Sequence, residues 1–228
     1  MAALIPQLQI LPANQRRLWS RLGETPPDFV LYGGTALALR LGHRSSIDFD
    51  FFARRAFQPI ELVREIPYLT NQTIVQEGQS TLSCEVETGV GAVKISFFGG
   101  LSIGQIEPPA LVTTNQIAVA SLKDLFGMKC ATVPQRNESK DYLDIHALMQ
   151  QGGITLSEGM ACAAAMYGRQ YNPALTLQAL SYFDDLHEAL PQAVRAALLA
   201  AVKNVSLAHL PAATALQRIG DGVERSRA

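Results

Sequence analysis

Residues 33–52 of the chain read GGTALALRLGHRSSIDFDFF. This stretch follows a short β-favouring run, Val30–Tyr32, which the glycine pair Gly33–Gly34 interrupts. Helix-forming residues come next, with Thr35 as a hydroxyl N-cap, and Gly42 supplies the stop. The local pattern therefore predicts a strand, a glycine turn and a short helix.

The next residues, 46–51, alternate polar and apolar side chains, which predicts a half-buried strand. Asp48 and Asp50 would point to one face of this strand, and the other face would hold Ile47, Phe49 and Phe51. Two carboxylates at i and i+2 on a strand stand roughly 6 to 7 Å apart and repel unless a proton or a cation lies between them. A hard divalent cation is the natural occupant, and Mg²⁺ prefers carboxylate oxygens together with the phosphates of a nucleotide.

The glycine pair provides a complementary feature for a phosphate ligand. Without side chains, the backbone N–H groups of Gly33 and Gly34 can approach a polyphosphate at the positive end of the following helix. The plain alternative is a glycine turn followed by a strand that carries two solvated aspartates.

A glycine pair followed by Asp-x-Asp on the next strand resembles the DNA polymerase β-like nucleotidyltransferase fold. Residues 33–52 as a whole, with the Gly-His-Arg-x-Ser linker before the aspartates, resemble the signature of the abortive-infection nucleotidyltransferase toxin family (AbiEii/AbiGii). A second stretch, Lys129 through Asp144, resembles the downstream motif of that family. The resemblance covers roughly residues 28–52 and 90–150.

The resemblance and the local patterns predict an α+β fold. Residues 1–120 would form the nucleotidyltransferase core, a mixed sheet with flanking helices, and residues 121–228 an α-helical C-terminal region that contributes Lys129 and Asp141 to the cleft. We expect helices at 13–22, 157–167, 173–183 and 191–207, strands at 74–76, 82–87, 90–98 and 116–119, and irregular structure at 99–114.

The family resemblance also implies a role for each motif residue. Asp48 and Asp50 would hold Mg²⁺ and act in catalysis, while Gly33, Gly34 and Ser46 would bind the phosphates of the nucleotide. Arg44 would brace the glycine turn or the phosphates. Lys129 would contact a triphosphate oxygen, and Asp141 would act as an activating base or orient Lys129.

Two features of the downstream motif follow from the residues themselves. Lys129 lies on the apolar side of its predicted helix, so it must reach a charge or extend to solvent. Asn137 or Ser139 would open the next helix, on which Asp141 and Asp144 share one face. Asp144 could also pair with Lys140 at i, i+4.

The chain departs from the family at one position. Nucleotidyltransferases of this fold usually carry a third carboxylate on a neighbouring strand, in a phrase like Val-Lys-Val-Asp. Here the matching phrase is Val-Lys-Ile-Ser, which ends at Ser96. Glu85 and Glu87 on the partner strand are candidate replacements.

Composition excludes several functional classes. The formal net charge of −1 excludes a globally basic nucleic-acid binder, although residues 1–55 carry seven arginines against four acids, a local excess of +3. This excess either creates a modest positive field around the acidic metal site or represents scattered solvated arginines. The three cysteines are too few and too widely spaced for a disulfide framework or a metal cluster. We find no signal peptide pattern and no membrane-spanning apolar stretch, and expect a cytoplasmic protein.

These observations lead to a main hypothesis and two alternatives. The chain would be a Mg²⁺-dependent nucleotidyltransferase that moves an NMP group from an NTP to an acceptor, either tRNA or another RNA or a protein. It would serve as the toxin of a bacterial toxin–antitoxin or phage-defence pair, with a cognate antitoxin protein. The alternatives are a catalytically impaired binding module and an enzyme that modifies a small molecule of the aminoglycoside type.

Overall fold

The computed structural model describes residues 2–136, 138–186 and 188–220. Within these ranges the chain forms two compact units. The first, called here the sheet unit, contains residues up to 103, residues 108–120 and the segment from 217 onward. The second, called here the helical unit, contains residues 104–107 and 121–216.

The sheet unit is built on an eight-stranded mixed sheet with the strand order β1-β8-β9-β2-β3-β6-β5-β4. Its strands are β1 Ala3–Leu4, β2 Val30–Tyr32, β3 Asp48–Phe52, β4 Gln72–Gly78, β5 Thr81–Glu87, β6 Ala92–Phe98, β8 Ala110–Val112 and β9 Ala118–Val119. Strand β3 runs parallel to β6 and antiparallel to β2, so it lies at the centre of the sheet. Two further short strands are β7 Gly104–Gln105 and β10 Gln217–Arg218.

In the part of the sheet unit that the structure describes, the α-helices are α1 Ala13–Trp19, α2 Gly33–Leu41 and α3 Pro59–Glu65. Helix α1 begins where the helix at residues 13–22 was predicted, ends earlier at Trp19, and packs on the sheet. The Trp19 ring lies 6.3 Å from the Phe49 ring, and Asn14 donates a 2.6 Å hydrogen bond to the Ala92 carbonyl on β6. Helix α2 ends at Leu41, and the next residue, Gly42, has a φ of +67°, which suits glycine and confirms the predicted stop.

The core of the sheet unit is largely aromatic on the face opposite the two aspartates. Phe51 and Phe97 stack across β3 and β6 at 5.4 Å, and Phe29 meets Phe97 edge-on at 5.4 Å. Such ring pairs contribute about 0.5 to 1.5 kcal/mol beyond the area that they bury. This packing fixes which face of β3 is buried, and therefore which face presents Asp48 and Asp50.

Among the described residues, the α-helices of the helical unit are α4 Leu122–Thr132, α5 Ser139–Gln150, α6 Leu156–Tyr167, α7 Pro173–Ala179 and α8 Gln192–Lys203. Helices α4 and α6 pack closely because each carries a glycine at the contact. A Cβ at Gly159 would lie 2.6 Å from the Phe126 ring, and one at Gly127 would lie 2.6 Å from Sδ of Met166. Larger residues at these two positions would force the helices apart.

The predicted α+β class with a mixed sheet is confirmed, but several boundaries were wrong. The strand predicted from residue 46 begins at Asp48, and Ile47 is 67% exposed instead of facing the core. The region 99–114, predicted as irregular, contains β7 and β8, and β1 was not predicted. These strands are two or three residues long, too short to show an alternating pattern.

Helix boundaries in the helical unit also differ in part from the prediction. Helices α7 and α8 end at Ala179 and Lys203, earlier than predicted. Helix α5 begins at Ser139, one of the two predicted starts; Asn137, the other, lies outside the described residues. Within the part of the chain that the structure describes, no helix is long and apolar enough to cross a membrane.

Candidate active site

Asp48 and Asp50 lie half-buried on one face of β3. Asp50 stands beside Tyr32 on β2 and beside Ser96 on β6. The Thr35 hydroxyl donates a hydrogen bond to the Asp48 carbonyl, which ties the first turn of α2 to the start of β3. Local chain geometry and this bond together bring the start of the helix next to the two carboxylates.

Gly33 meets two requirements that other residues cannot satisfy. Its φ of +73° lies in the left-handed region, and a Cβ there would come within 2.6 Å of Oδ2 of Asp50. The backbone at the start of α2 therefore lies directly against the Asp50 carboxylate. A ligand held by Asp50 would also face this backbone.

Gly34 is covered by side chains from the linker between α2 and β3. A Cβ at Gly34 would lie 2.6 Å from Nη2 of Arg44 and 3.1 Å from Oγ of Ser46. Arg44 also donates a 2.9 Å hydrogen bond from Nη1 to the Ser45 carbonyl. The guanidinium and the hydroxyl are thus held above the helix start. The sheet unit brings together these sequence-predicted residues: Gly33, Gly34, Arg44, Ser46, Asp48 and Asp50.

The prediction that Thr35 caps α2 was wrong. The N-cap position is Tyr32, which makes no side-chain capping bond, and the Thr35 hydroxyl is used in the bond to β3. The first turn of α2 therefore has no N-cap side chain to neutralise its N–H groups, and Gly33 and Gly34 are partly exposed. A phosphate oxygen is a suitable partner for N–H groups at such a helix start.

The strand beside Asp50 carries Ser96 at the matching position. Ser96 is buried and accepts a 3.0 Å hydrogen bond from the Ser83 hydroxyl on β5. Glu85 stands opposite Lys94, and Glu87 stands opposite Ala92, so neither glutamate is a direct neighbour of the aspartates. Among the described residues, no group of three or more His, Cys, Asp or Glu side chains could hold a metal ion.

The remaining donor set suits one hard cation. Mg²⁺ is commonly bound by one or two carboxylates together with substrate phosphates, and it keeps several waters. Asp48 and Asp50 supply two carboxylates on one face. Within the described ranges, no hydrogen bond or ion pair is found at the Asp48 carboxylate.

The helical unit contains the second set of predicted residues as a buried ion cluster. Nζ of Lys129 lies 2.6 Å from Oδ1 of Asp141 and 2.6 Å from Oδ2 of Asp144. Arg136 donates two hydrogen bonds to the Asp141 carboxylate, one of 2.7 Å from Nε to Oδ2 and one of 3.1 Å from Nη2 to Oδ1. The Lys129 side chain is 6% exposed, and those of both aspartates are fully buried.

The cluster shows whether Lys129 reaches a charged partner or extends to solvent. The lysine on the apolar face of α4 reaches charged partners on α5 and does not extend to solvent. Asp144 was not predicted as a partner of Lys129; its spacing had indicated a pair with Lys140, whose Nζ lies 3.5 Å from Glu138. The burial of Tyr142 raises its pKa, and the Asp141 carboxylate adds to this shift.

Comparison with known proteins gives consistent results. The family model described as nucleotidyl transferase AbiEii toxin, type IV toxin–antitoxin system, matches residues 17–216. The uncharacterized protein aq_aa25 of Aquifex aeolicus is 32% identical over 163 residues, which span 71% of this chain and 76% of that protein.

Two solved structures share the fold. One is MenT4, a nucleotidyltransferase toxin of Mycobacterium tuberculosis, with a TM-score of 0.57 and 16% identity over 85% of this chain and 83% of that one. The other is a candidate nucleotidyltransferase of H. pylori, with a TM-score of 0.53 and 18% identity over 83% of this chain and 90% of that one. At these identities the likeness concerns the fold alone.

Proposed function

The chain belongs to the AbiEii nucleotidyltransferase toxin family, and from this premise we propose that it transfers an NMP group from an NTP to an acceptor in a Mg²⁺-dependent reaction. The observation that carries the proposal is the convergence of the glycine pair and the two aspartates. The start of α2 lies against the Asp50 carboxylate, on the side of β3 that also carries Asp48.

Each residue of the sheet unit has a role in this proposal. Asp48 and Asp50 would hold Mg²⁺, and the bound ion would supply neutralisation of phosphate charge and polarisation of the α-phosphorus. The N–H groups of Gly33 and Gly34 bind phosphate oxygens at the helix start. Arg44 and Ser46, which lie over Gly34, add a cation and a hydroxyl donor on the same side.

The reaction balances as a single displacement at phosphorus. An acceptor oxygen forms a bond to the α-phosphorus, the bond to the bridging oxygen breaks, and pyrophosphate leaves with its electron pair. The acceptor proton passes to solvent or to a base. The Asp141 carboxylate is paired with two cations, Lys129 and Arg136. We therefore assign Asp141 the role of orienting Lys129, and not that of the base that accepts the proton. Contact of Lys129 with a triphosphate oxygen stays a prediction.

We further propose that the acceptor is RNA, with tRNA as one candidate, or a protein, and that the chain acts as a toxin whose activity a cognate antitoxin protein controls. The family description names a toxin of type IV toxin–antitoxin systems, which supports this role. A catalytically impaired nucleotidyltransferase fold is the second candidate, because Ser96 stands where the fold usually has a carboxylate.

The test is transfer of label from NTP to acceptor by the purified chain. The four α-³²P-labelled NTPs are each incubated with Mg²⁺ and with total RNA, a protein extract or aminoglycosides as acceptor. We expect label in RNA or protein, with release of pyrophosphate and loss of transfer in EDTA. Label only in the aminoglycosides would support the small-molecule alternative, and no transfer would support the impaired fold.

The matched control is Asp48→Asn. Transfer should fall by at least about 100-fold, since even outer-shell partners of metal sites cost about 10- to 100-fold when removed. The free energy of unfolding should stay equal or rise slightly, because one of two repelling carboxylates is gone. If Asp48→Asn and the wild-type chain transfer label equally, the metal assignment is wrong.

A further inference from the structure

We propose that Asp48 and Asp50 bind one divalent cation per chain together with the nucleotide, and not a pair of ions, because Ser96 stands where a second ion would need a carboxylate. This inference rests on the proposed function and concerns the composition of the same site. It is carried by the register of three neighbouring strands, β3, β6 and β5.

The strand register places two rows of side chains across this face of the sheet. One row runs from Asp50 through Ser96 on β6 to Ser83 on β5. The other runs from Asp48 through Lys94 to Glu85. Neighbouring strands stand about 4.8 Å apart, so β5 is about 10 Å from β3. On β6, the direct neighbours of the two aspartates are therefore a serine and a lysine.

A pair of catalytic metal ions stands about 3.5 to 4 Å apart and needs ligands that bridge or flank both ions. Asp48 and Asp50 contribute a formal charge of −2, which balances one Mg²⁺ but only half of the +4 of two ions. Ser96 contributes no charge, whereas Lys94 beside Asp48 and Arg44 over Gly34 each contribute +1. The protein side of this site thus matches one ion, with further oxygen ligands from phosphates and water.

Ser96 is also fixed in place. Ser96 is only 3% exposed to solvent, and its hydroxyl accepts a 3.0 Å hydrogen bond from the Ser83 hydroxyl. Glu85 cannot take over easily, because Lys94 stands between it and Asp48 in the same row. In agreement, the part of the chain that the structure describes contains no set of three acidic, histidine or cysteine side chains able to hold a metal.

The test counts ions with Mn²⁺ in place of Mg²⁺, in the presence of a non-hydrolysable α,β-methylene NTP analogue. Mn²⁺ retained per chain is measured after ultrafiltration, and electron paramagnetic resonance distinguishes an isolated ion from a spin-coupled pair. We expect one ion and an uncoupled spectrum for the wild-type chain. The variant Ser96→Asp should retain two ions per chain, with a coupled spectrum.

Two further variants act as controls. Gln76 stands opposite Ser83 at the far end of the Asp50 row, so Gln76→Asp adds the same charge to the same sheet at a distance. It should retain one ion. Ser96→Ala should also retain one ion, with affinity within about threefold of wild type, because Ser96 limits the site without being a ligand.

A coupled pair of ions in the wild-type chain would overturn the inference, as would a folded Ser96→Asp variant that gains no ion. A large loss of Mn²⁺ affinity in Ser96→Ala would show that Ser96 is a ligand and would also overturn it. If the wild-type chain retains two ions and still transfers label, the one-ion inference fails but the proposed function holds. If it retains no Mn²⁺ and transfers no label, the inference and the proposed function both fail.

Discussion

At the residue scale, the two glycines of the pair are required for different reasons. Gly33 combines a positive φ with the close approach of the Asp50 carboxylate, so a side chain there would strain the backbone as well as collide. Gly34 has no positive φ, and its neighbours are the ends of the Arg44 and Ser46 side chains. A substitution at Gly34 therefore separates ligand binding from folding more cleanly than one at Gly33.

We predict that Gly34→Val weakens NTP binding by at least about tenfold, equivalent to about 1.4 kcal/mol. The branched side chain would displace Arg44 and occupy the space where phosphate meets the backbone. The fold should persist, because the end of the Arg44 side chain can move. The measurement is calorimetric titration with NTP and Mg²⁺, together with a thermal melt.

The matched control is Gly78→Val on the exposed strand β4, where an added Cβ has 3.9 Å of clearance from Thr81. This variant should bind NTP as the wild-type chain does. If Gly34→Val also binds normally, the glycine pair serves only as a turn.

At the element scale, one lysine joins two helices. Lys129 on α4 and the pair Asp141 and Asp144 on α5 are buried, and Arg136 in the connection between the helices completes the cluster. Two carboxylates and two cations leave no formal net charge. Removing one cation, however, would leave an uncompensated carboxylate in the interior of the helical unit.

We predict that Lys129→Met, which keeps much of the apolar stem, lowers the free energy of unfolding by roughly 3 to 5 kcal/mol. Lys123→Met on the same helix should cost less than about 1 kcal/mol, because its pair with Glu107 is exposed. That pair spans 2.8 Å, with both side chains 43% exposed. Urea denaturation followed by circular dichroism measures both values.

Label transfer by the same two variants, at a temperature where both are folded, then tests the predicted role of Lys129 in catalysis. A loss of about tenfold or more in Lys129→Met alone, about 1.4 kcal/mol in the barrier, would support contact with the nucleotide. Equal and small effects of both substitutions on stability would contradict the buried ion cluster itself.

At the scale of the whole molecule, the charge distribution limits how RNA can be bound. The excess of +3 in residues 1–55 is partly used within the fold, since Arg55 pairs with Asp28 at 2.8 Å and with Glu65 at 3.1 Å. By contrast, Arg16 and Arg17 lie exposed on α1 and make no ion pair among the described residues. The field available to a polyanion is therefore small.

We predict weak, shallowly salt-dependent RNA binding in EDTA, with about three phosphate contacts and a slope of log K against log salt near −2. The double substitution Arg16→Ala/Arg17→Ala should reduce the magnitude of this slope by about 1.4. Fluorescence anisotropy with a labelled single strand at several KCl concentrations measures it. A slope near −5 would indicate many more phosphate contacts, and therefore a larger basic surface than we infer here. That result would contradict the prediction.

The local frame of the site could be predicted from the amino-acid sequence. Residue propensity predicts the strand before the glycine pair and the helix that stops at Gly42. The two-residue period of a strand predicts that Asp48 and Asp50 share one face. The sequence also identified the family, since the spacing from the glycines to the aspartates is a continuous stretch of chain. Where short-range signals were weak, as in β1 and β8, prediction failed.

Contacts between residues far apart in the sequence could not be predicted, because they depend on how the elements pack. The neighbour of Asp50 is Ser96, 46 positions away, because β3 and β6 pair in one particular register, and a shift of one residue would have put Ile95 or Phe97 there. Likewise, Lys129 meets Asp144 because α4 and α5 pack with these faces together, whereas spacing alone favoured Lys140 as the partner. Such contacts depend on packing between separate elements, which periodicity within one element does not encode.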